Sequence, residues 1–445
     1  MNLIFVVSED LAFQAPGDIN PVTANLTNRG LQRALLMGKF LQQQVLGGTN
    51  VTAIYALEPM THLQSENNYP DLVPLETIQQ FAMLNQTTIT YQGSSTTANS
   101  FPVFSSYSEE SVPVGVAKPA FPCNACVGLD FQDKQGDNET LVGGIVTANA
   151  PGFYVFSAPW EIASVLMTDI NQLEGSNLTL PSRYAGPNVV YAIAVTPSGN
   201  ASLLTYNSNL NPPSNYPVLP TLGIVTSQCT ATPFEIQVTG GIGGAIAPNN
   251  SNTNETVYMI RHAEAHPNST WDDGNYVGPG QWRALELPYA LLDKIHPTEV
   301  YSIDASNAIP GGQGSIPSSY IRPTLTAEPY AIANNLPFNF AASVAVFSQN
   351  PPALSTLASN FFFTNGTFTN KTILVAWEHD HIPPTINALI SSYQPPPSRI
   401  APNWSDSDYD TIWTVKLDGQ GNLTVDNSLC EGIDSASLPA TPPPF

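Results

Sequence analysis

The chain has 445 residues, with 13 lysines and arginines against 35 aspartates and glutamates and a formal charge of −22. That balance argues against nucleic acid and anionic membrane surfaces as partners, and no apolar run approaches the roughly 20 residues of a membrane-spanning helix. Hydrophobic residues make up 42 %, enough for sizeable cores, and the length alone points to two or three domains.

In chain order, residues 3–7 read as a strand running into a polar loop. Residues 26–41 follow with Leu31, Ala34, Leu35, Gly38 and Leu41 at helical spacing and Thr27 as N-cap. Residues 51–57 are the next strand and residues 75–84 the next helix. Strand alternating with helix predicts an α/β fold with a mostly parallel sheet covered on both faces. The second half repeats this grammar. Residues 280–287 parallel 30–37, 299–303 parallel 53–57, 323–326 parallel 74–77, 374–382 parallel 154–162, and 411–425 parallel 189–203. The expectation is two tandem three-layer α/β/α domains, 1–238 and 255–430. A flexible Gly/Asn-rich linker, 239–254, separates them, and a Pro-rich tail, 431–445, is disordered or draped on the surface.

Three stretches of the second half carry chemistry. Val257, Tyr258, Met259 and Ile260 run straight into Arg261 and His262, a buried strand ending in a loop where ligands sit in open α/β sheets. Residues 372–377 run likewise into Glu378, His379 and Asp380. Between them lies Ser318-x-x-x-Arg322-x-x-x-Thr326-Ala327. An imidazole at a strand end can serve as nucleophile, and guanidinium groups bind oxyanions bidentately.

These three motifs, in this order and over residues 255–426, resemble the histidine phosphatase superfamily, with its phosphoglycerate mutase-like fold. The resemblance implies a phosphomonoester hydrolase. His262 would form a phosphohistidine, Arg261 and Arg322 would clamp the phosphoryl oxygens, His379 would complete the cradle, and Asp380 would protonate the leaving group. Glu264, Asn268 and His381 would contact the substrate, a phosphorylated small molecule, and no cofactor or metal is implied. The family's Arg-His-Gly becomes Arg261-His262-Ala263, and Ala265 stands where the acid phosphatase branch has a second arginine, leaving one fewer cation. Zinc on His262, His266, His379 and His381 is disfavoured by the two arginines. Aligned by eye, the first half offers Ser8, Glu9, Val73 and Pro159 opposite Arg261, His262, Arg322 and His379, and so reads as a degenerate, non-catalytic copy. The competing class is a non-enzymatic anion-binding or scaffold protein; a mutase fits less well. Neutral His262 with protonated Asp380, whose ordinary pKa values are about 6.5 and 4, predicts an acid optimum.

Four cysteines allow three pairings, and Cys123-x-x-Cys126 favours a local disulfide over a redox motif. Asn-x-Ser/Thr sequons are dense, among them Asn25, Asn50, Asn85, Asn138, Asn177, Asn200, Asn254 and Asn268. With the scarcity of lysine they point to a secreted glycoprotein, whose leader this sequence does not carry. Oligomeric state is not legible.

Overall fold

The structure, a computed structural model, describes residues 1–15, 17–91, 93–105, 128–133, 136–220, 229, 231–240, 244–267, 272–305, 308–309, 318–341 and 351–445. The first half contains β1 (Asn2–Val7), α1 (Asn28–Phe40), β2 (Ala53–Ala56), the short pair β3 (Leu63–Gln64) and β4 (Tyr69–Pro70), and α2 (Val73–Met83). The pair β5 (Thr87–Tyr91) and β6 (Ser94–Ala98) follows, then α3 (Asp137–Ala148), β7 (Phe153–Ala158), α4 (Trp160–Leu173), β8 (Val189–Val195) and β9 (Ala201–Asn207). The second half contains β10 (Glu235–Val238), β11 (Glu255–Arg261), α5 (Gly278–Ala290), β12 (Glu299–Ser302), the pair β13 (Ala308–Ile309) and β14 (Ser318–Ser319), and α6 (Arg322–Asn334). It ends with β15 (Phe338–Phe340), α7 (Pro351–Phe363), β16 (Thr372–Trp377), α8 (Ile382–Ser392), β17 (Thr411–Leu417) and β18 (Leu423–Cys430). Thr27 caps α1, its hydroxyl accepting from Gly30 N at 3.3 Å.

Two mixed sheets carry the fold. One has the order β2-β7-β1-β8-β9, the other β10-β18-β17-β11-β16-β12-β15. The central five strands of the second, β12-β16-β11-β17-β18, repeat the order of the first, with β1 and β11 each parallel to one neighbour and antiparallel to the other. Each half is a parallel-containing α/β layer structure, because alternate side chains of a strand serve opposite faces. Ile4 and Val6 face α1 and α2, while Leu3, Phe5 and Val7 face the α4 side. In the second half Val257 and Met259 join the core under α7 and α8, and Ile260 the core with α5 and α6.

The inner faces of the two sheets share one core. Met37, Leu75, Ile78 and Phe81 of the first half pack in the same apolar cluster as Trp282, Leu287, Leu325 and Tyr330 of the second. Buried amides stitch it. Gln79 and Asn275 exchange hydrogen bonds at 2.8 and 3.2 Å, and Gln281 donates to Gln80 at 2.6 Å. The tail lies in this seam: Trp282 donates to Thr441 O at 2.8 Å, Gln80 to Pro443 O at 3.1 Å, and Leu438 is buried.

Several expectations change. Residues 235–238, assigned by sequence to the first half, pair with β18 as the edge of the second sheet. The stretch expected to be a free linker is laid on the second half, with Ile246 bridging Gln394 and buried Asn252 bonded to Glu255 and Phe362 O. Cys229 is joined to Cys430, while Cys123 and Cys126 lie outside the described residues. Three sequon asparagines are interior: Asn25, Asn85 and Asn138 are each 2 % exposed and bonded to backbone, so the fold leaves no room for glycans there. Asn268 lies outside the described residues. No helix among the described residues is long and apolar enough to cross a membrane.

Cleavage near Ile246, itself 70 % exposed, is therefore expected to leave both pieces in one particle. Without reductant the Cys229–Cys430 bond keeps them as one band; with reductant they still co-elute on gel filtration at the size of the intact 47.7 kDa chain. Separate elution of folded halves would show the shared core to be too weak to hold them.

Candidate active site

The parallel pairing of β11 with β16 ends at Arg261 opposite Trp377, and His262 N donates to Trp377 O at 2.8 Å. The residues that follow each strand, His262 on one and Glu378 and His379 on the other, therefore leave the sheet side by side at the carboxyl ends. Arg322 is the first residue of α6, and Pro323 behind it suits the first turn, where no backbone N–H is needed.

His262 is 1 % exposed, and its Nδ1 lies 2.8 Å from Ala263 O. A carbonyl only accepts, so Nδ1 carries the hydrogen, and in the neutral ring Nε2 presents its lone pair, 3.5 Å from Glu378 Oε1. The rings of Tyr320 and Tyr409 flank His262 edge-on at 6.1 and 6.2 Å. Arg322 makes a bidentate pair with Asp272 at 2.6 and 2.7 Å and lies over the Tyr320 ring, whose hydroxyl donates to Glu378 Oε2. Arg261 stacks on Tyr409 at 3.8 Å and donates to Asp406 O and Asp408 O. His379 Nδ1 lies 2.8 Å from Glu378 Oε1, and its Nε2 lies 3.1 Å from Asp406 Oδ1.

Burial, reinforced by the Arg322 cation, lowers the His262 pKa below 6.5 and keeps the ring neutral, against the pull of Glu378. Burial would also lower His379, but its hydrogen bond to Glu378 and the carboxylates of Glu378 and Asp380 outweigh this and hold it above 6.5. Burial alone would raise Glu378; the two imidazoles and Arg322 instead hold it well below the ordinary value, so it is ionised. Asp272, which burial would also raise, is held down by Arg322.

The structure thus brings Arg261, His262, Arg322 and His379 together. Asp380 lies at the rim: its side chain is 73 % exposed, and its Oδ1 lies 3.5 Å from His379 Nε2. Glu264 does not face a substrate; it is bonded to Arg283 at 2.9 and 3.1 Å and to Ser435 at 2.7 Å, in an interior network that includes Glu431. His381 stacks on Trp377 and opens α8. Sequence reading passed over Glu378, Tyr320, Asp272, Asp406 and Tyr409. Glu378 carried a usable signal, being the first charge after an apolar strand, and Tyr320 sits inside the Arg322 motif. Asp272 and Asp406 lie in loops without periodicity. His262, Glu378 and His379 also present ligand atoms within 4.8 Å of one another, a grouping that contains neither His266 nor His381. The guanidinium of Arg322 beside His262 opposes a dication there.

In the first half the matching strand ends differ from the expected correspondence by one residue. Ser8 N donates to Ala158 O as His262 N does to Trp377 O, so Ser8 takes the place of His262, Val7 that of Arg261 and Trp160 that of His379. Glu9 accepts from Tyr184 and from Ala15 N, both at 2.7 Å, and burial raises it to about 7.

No protein-family model and no curated protein matches the chain. Among solved structures it is similar to the protein histidine phosphatase SixA complexed with tungstate, at 16 % identity and TM-score 0.26 over 40 % of this chain and 97 % of that one. It is similar to a putative phosphohistidine phosphatase SixA from Agrobacterium tumefaciens, at 14 % identity and TM-score 0.22 over 37 % and 91 %. A phosphoserine phosphatase from Entamoeba histolytica in complex with 3-phosphoglyceric acid matches at 16 % identity and TM-score 0.23 over 47 % and 97 %. At these TM-scores the likenesses carry no argument about activity.

Asp272–Arg322 and Glu264–Arg283–Glu431 are buried ion networks. Removing one partner of a buried pair leaves an uncompensated charge and costs about 3–5 kcal/mol. Asp272→Asn and Arg283→Met are both expected to destabilise by about that amount. Arg283→Met is expected to cost more, because it strands both Glu264 and Glu431. Urea unfolding of the two variants beside the wild type checks both the size and the order.

Proposed function

We propose that the second half is a phosphomonoester hydrolase acting through His262. The observation that carries this reading is the His262 Nδ1–Ala263 O bond, which fixes the tautomer and aims an unprotonated Nε2 among Arg322, Arg261 and His379. Both guanidinium groups also keep an enclosed Nε without a hydrogen-bond acceptor among the described residues, which a phosphoryl oxygen would supply. In the first step Nε2 bonds to phosphorus as the ester P–O bond breaks, and the leaving oxygen takes a proton from cationic His379. In the second, water attacks phosphorus, gives its proton to His379, and the P–N bond breaks. The acid role passes from Asp380 to His379, because His379 is the group held cationic between two carboxylates. The substrate is a phosphorylated small molecule. The first half, with Val7, Ser8 and Trp160 at the matching places, is a non-catalytic copy of the same phosphoglycerate mutase-like unit. The repeated strand order supports this duplication. The Cys229–Cys430 bond supports export to an oxidising compartment.

A second reading, an anion-binding or scaffold protein without turnover, is favoured by Glu378. Its carboxylate lies on His262 Nε2, where phosphorus must arrive, and Asp272 already occupies the Arg322 fork. Turnover requires Glu378 to swing aside.

The test is hydrolysis of p-nitrophenyl phosphate against pH. Neutral His262 is available above a pKa that lies below 6.5, and cationic His379 below a pKa that lies above 6.5. A bell is therefore expected whose acid limb lies below pH 6.5 and whose alkaline limb lies above it, in place of the acid optimum that protonated Asp380 would give. His262→Ala is expected to abolish activity, His379→Ala to lower kcat about 10²–10⁴-fold, and Asp380→Asn to change it little. No activity in the wild type, together with phosphate binding that His262→Ala leaves intact, supports the second reading.

A further inference from the structure

At the carboxyl edge of the first sheet, Asp10 follows β1, His62 follows β2, and Asp71 stands between β4 and α2. Asp10 and Asp71 are 4 % and 0 % exposed. Each carboxylate uses one oxygen on backbone: Asp10 Oδ1 accepts from Ala12 N at 2.7 Å, and Asp71 Oδ1 from Val73 N at 3.2 Å. Each turns its other oxygen to His62 Nδ1, at 3.3 and 3.4 Å. All three facing atoms are enclosed, and none makes a hydrogen bond.

That spacing is informative. Where an imidazole of this protein does bond carboxylates, His379 to Glu378 and to Asp406, the distances are 2.8 and 3.1 Å. Zinc–oxygen and zinc–nitrogen bonds of about 2.0–2.1 Å at tetrahedral angles set neighbouring donors about 3.3–3.4 Å apart. The donors are also held in place. Asp71 N bonds His62 O at 3.1 Å, Leu11 N bonds Gln64 Oε1 at 2.8 Å, and the His62 ring stacks on Phe131 at 3.8 Å. Among the described residues neither Asp10 nor Asp71 has a lysine or arginine partner. Two buried carboxylates therefore face one imidazole, and a dication would balance them.

We propose that the first half binds a divalent transition-metal ion, zinc by its donor set, through Asp10, His62 and Asp71. Two carboxylate oxygens and one imidazole nitrogen within 4.8 Å of one another, with nitrogen–oxygen separations of 3.3 and 3.4 Å, suit Zn²⁺ better than Ca²⁺ or Mg²⁺, which take six or more oxygen donors at wider or octahedral geometry. The site is independent of the chemistry assigned to His262.

The experiment strips the full chain with chelator, titrates it with ZnCl₂, and counts zinc retained after desalting; CoCl₂ serves as the spectroscopic probe. One zinc per chain is expected, with the intense visible absorption of tetrahedral Co²⁺. His62→Gln and Asp71→Asn should each weaken Zn²⁺ binding at least about 100-fold, and His262→Ala should leave it unchanged. No zinc retained by the wild type, or equal affinity in His62→Gln, overturns the proposal. Loss of zinc in His262→Ala alone assigns the metal to the second half and overturns it as well. If His62→Gln does not fold, Asp10→Asn and the wild-type Co²⁺ spectrum decide: only weak, octahedral absorption excludes the site.

Discussion

The parallel pairing of β11 with β16 is the constraint on which the site depends. Six consecutive pairs, from Thr256 with Thr372 to Arg261 with Trp377, bring two chain segments more than a hundred residues apart into register. A slip of β11 by one residue would reverse its faces and send Val257 and Met259 out of the core under α7 and α8. The apolar faces thus set where His262 and His379 emerge. Trp377, fully buried, anchors the end of β16.

What gathers at that edge is governed by a shortage of cations. Thirteen basic residues serve thirty-five acidic ones, and each cation in the pocket already has an acceptor: Asp272 for Arg322, two loop carbonyls for Arg261, Glu378 and Asp406 for His379. Desolvation makes such pairs costly to break from one side. Under the proposed function, a phosphoryl group would have to displace Asp272, Glu378 or the loop acceptors rather than fill a bare cradle. The loop carrying Asp406, whose side chain is 97 % exposed, is the easiest of these partners to move.

The alternation of strands and helices was legible because apolar runs and helical spacing are local, and so were Arg261, His262 and His379, each within two residues of the end of an apolar strand. Asp272 was not. It reaches Arg322 across 50 residues through a loop with no pattern of its own. The one-residue offset between the halves has a similar origin: the polar residues after β1 are alike in sequence, and only the ladder, with Ser8 N on Ala158 O, decides which stands at the His262 place. The tail reads as low-complexity by composition, yet its backbone carbonyls satisfy Trp282 and Gln80, a role composition cannot report.

The two halves make the same structural choice and then diverge from it. Gly30 and Gly280 each admit a backbone carbonyl where a Cβ would stand, 2.2 Å from Asp18 O and 2.7 Å from Glu264 O. Three residues on in each helix, a buried arginine answers the loop after the first strand: Arg33 bonds Asp18 at 2.7 Å, and Arg283 bonds Glu264 at 2.9 Å. By strand register Glu264 matches Asp10. In the second half, therefore, the acid at this position is neutralised by the helix arginine and becomes part of the interior. In the first half the arginine is engaged by Asp18, eight residues further along, and Asp10 is left facing His62 and Asp71. A buried carboxylate without its arginine must find another positive partner or lose its charge. That difference in one ion pair separates an edge built around a neutral imidazole from one built around two carboxylates.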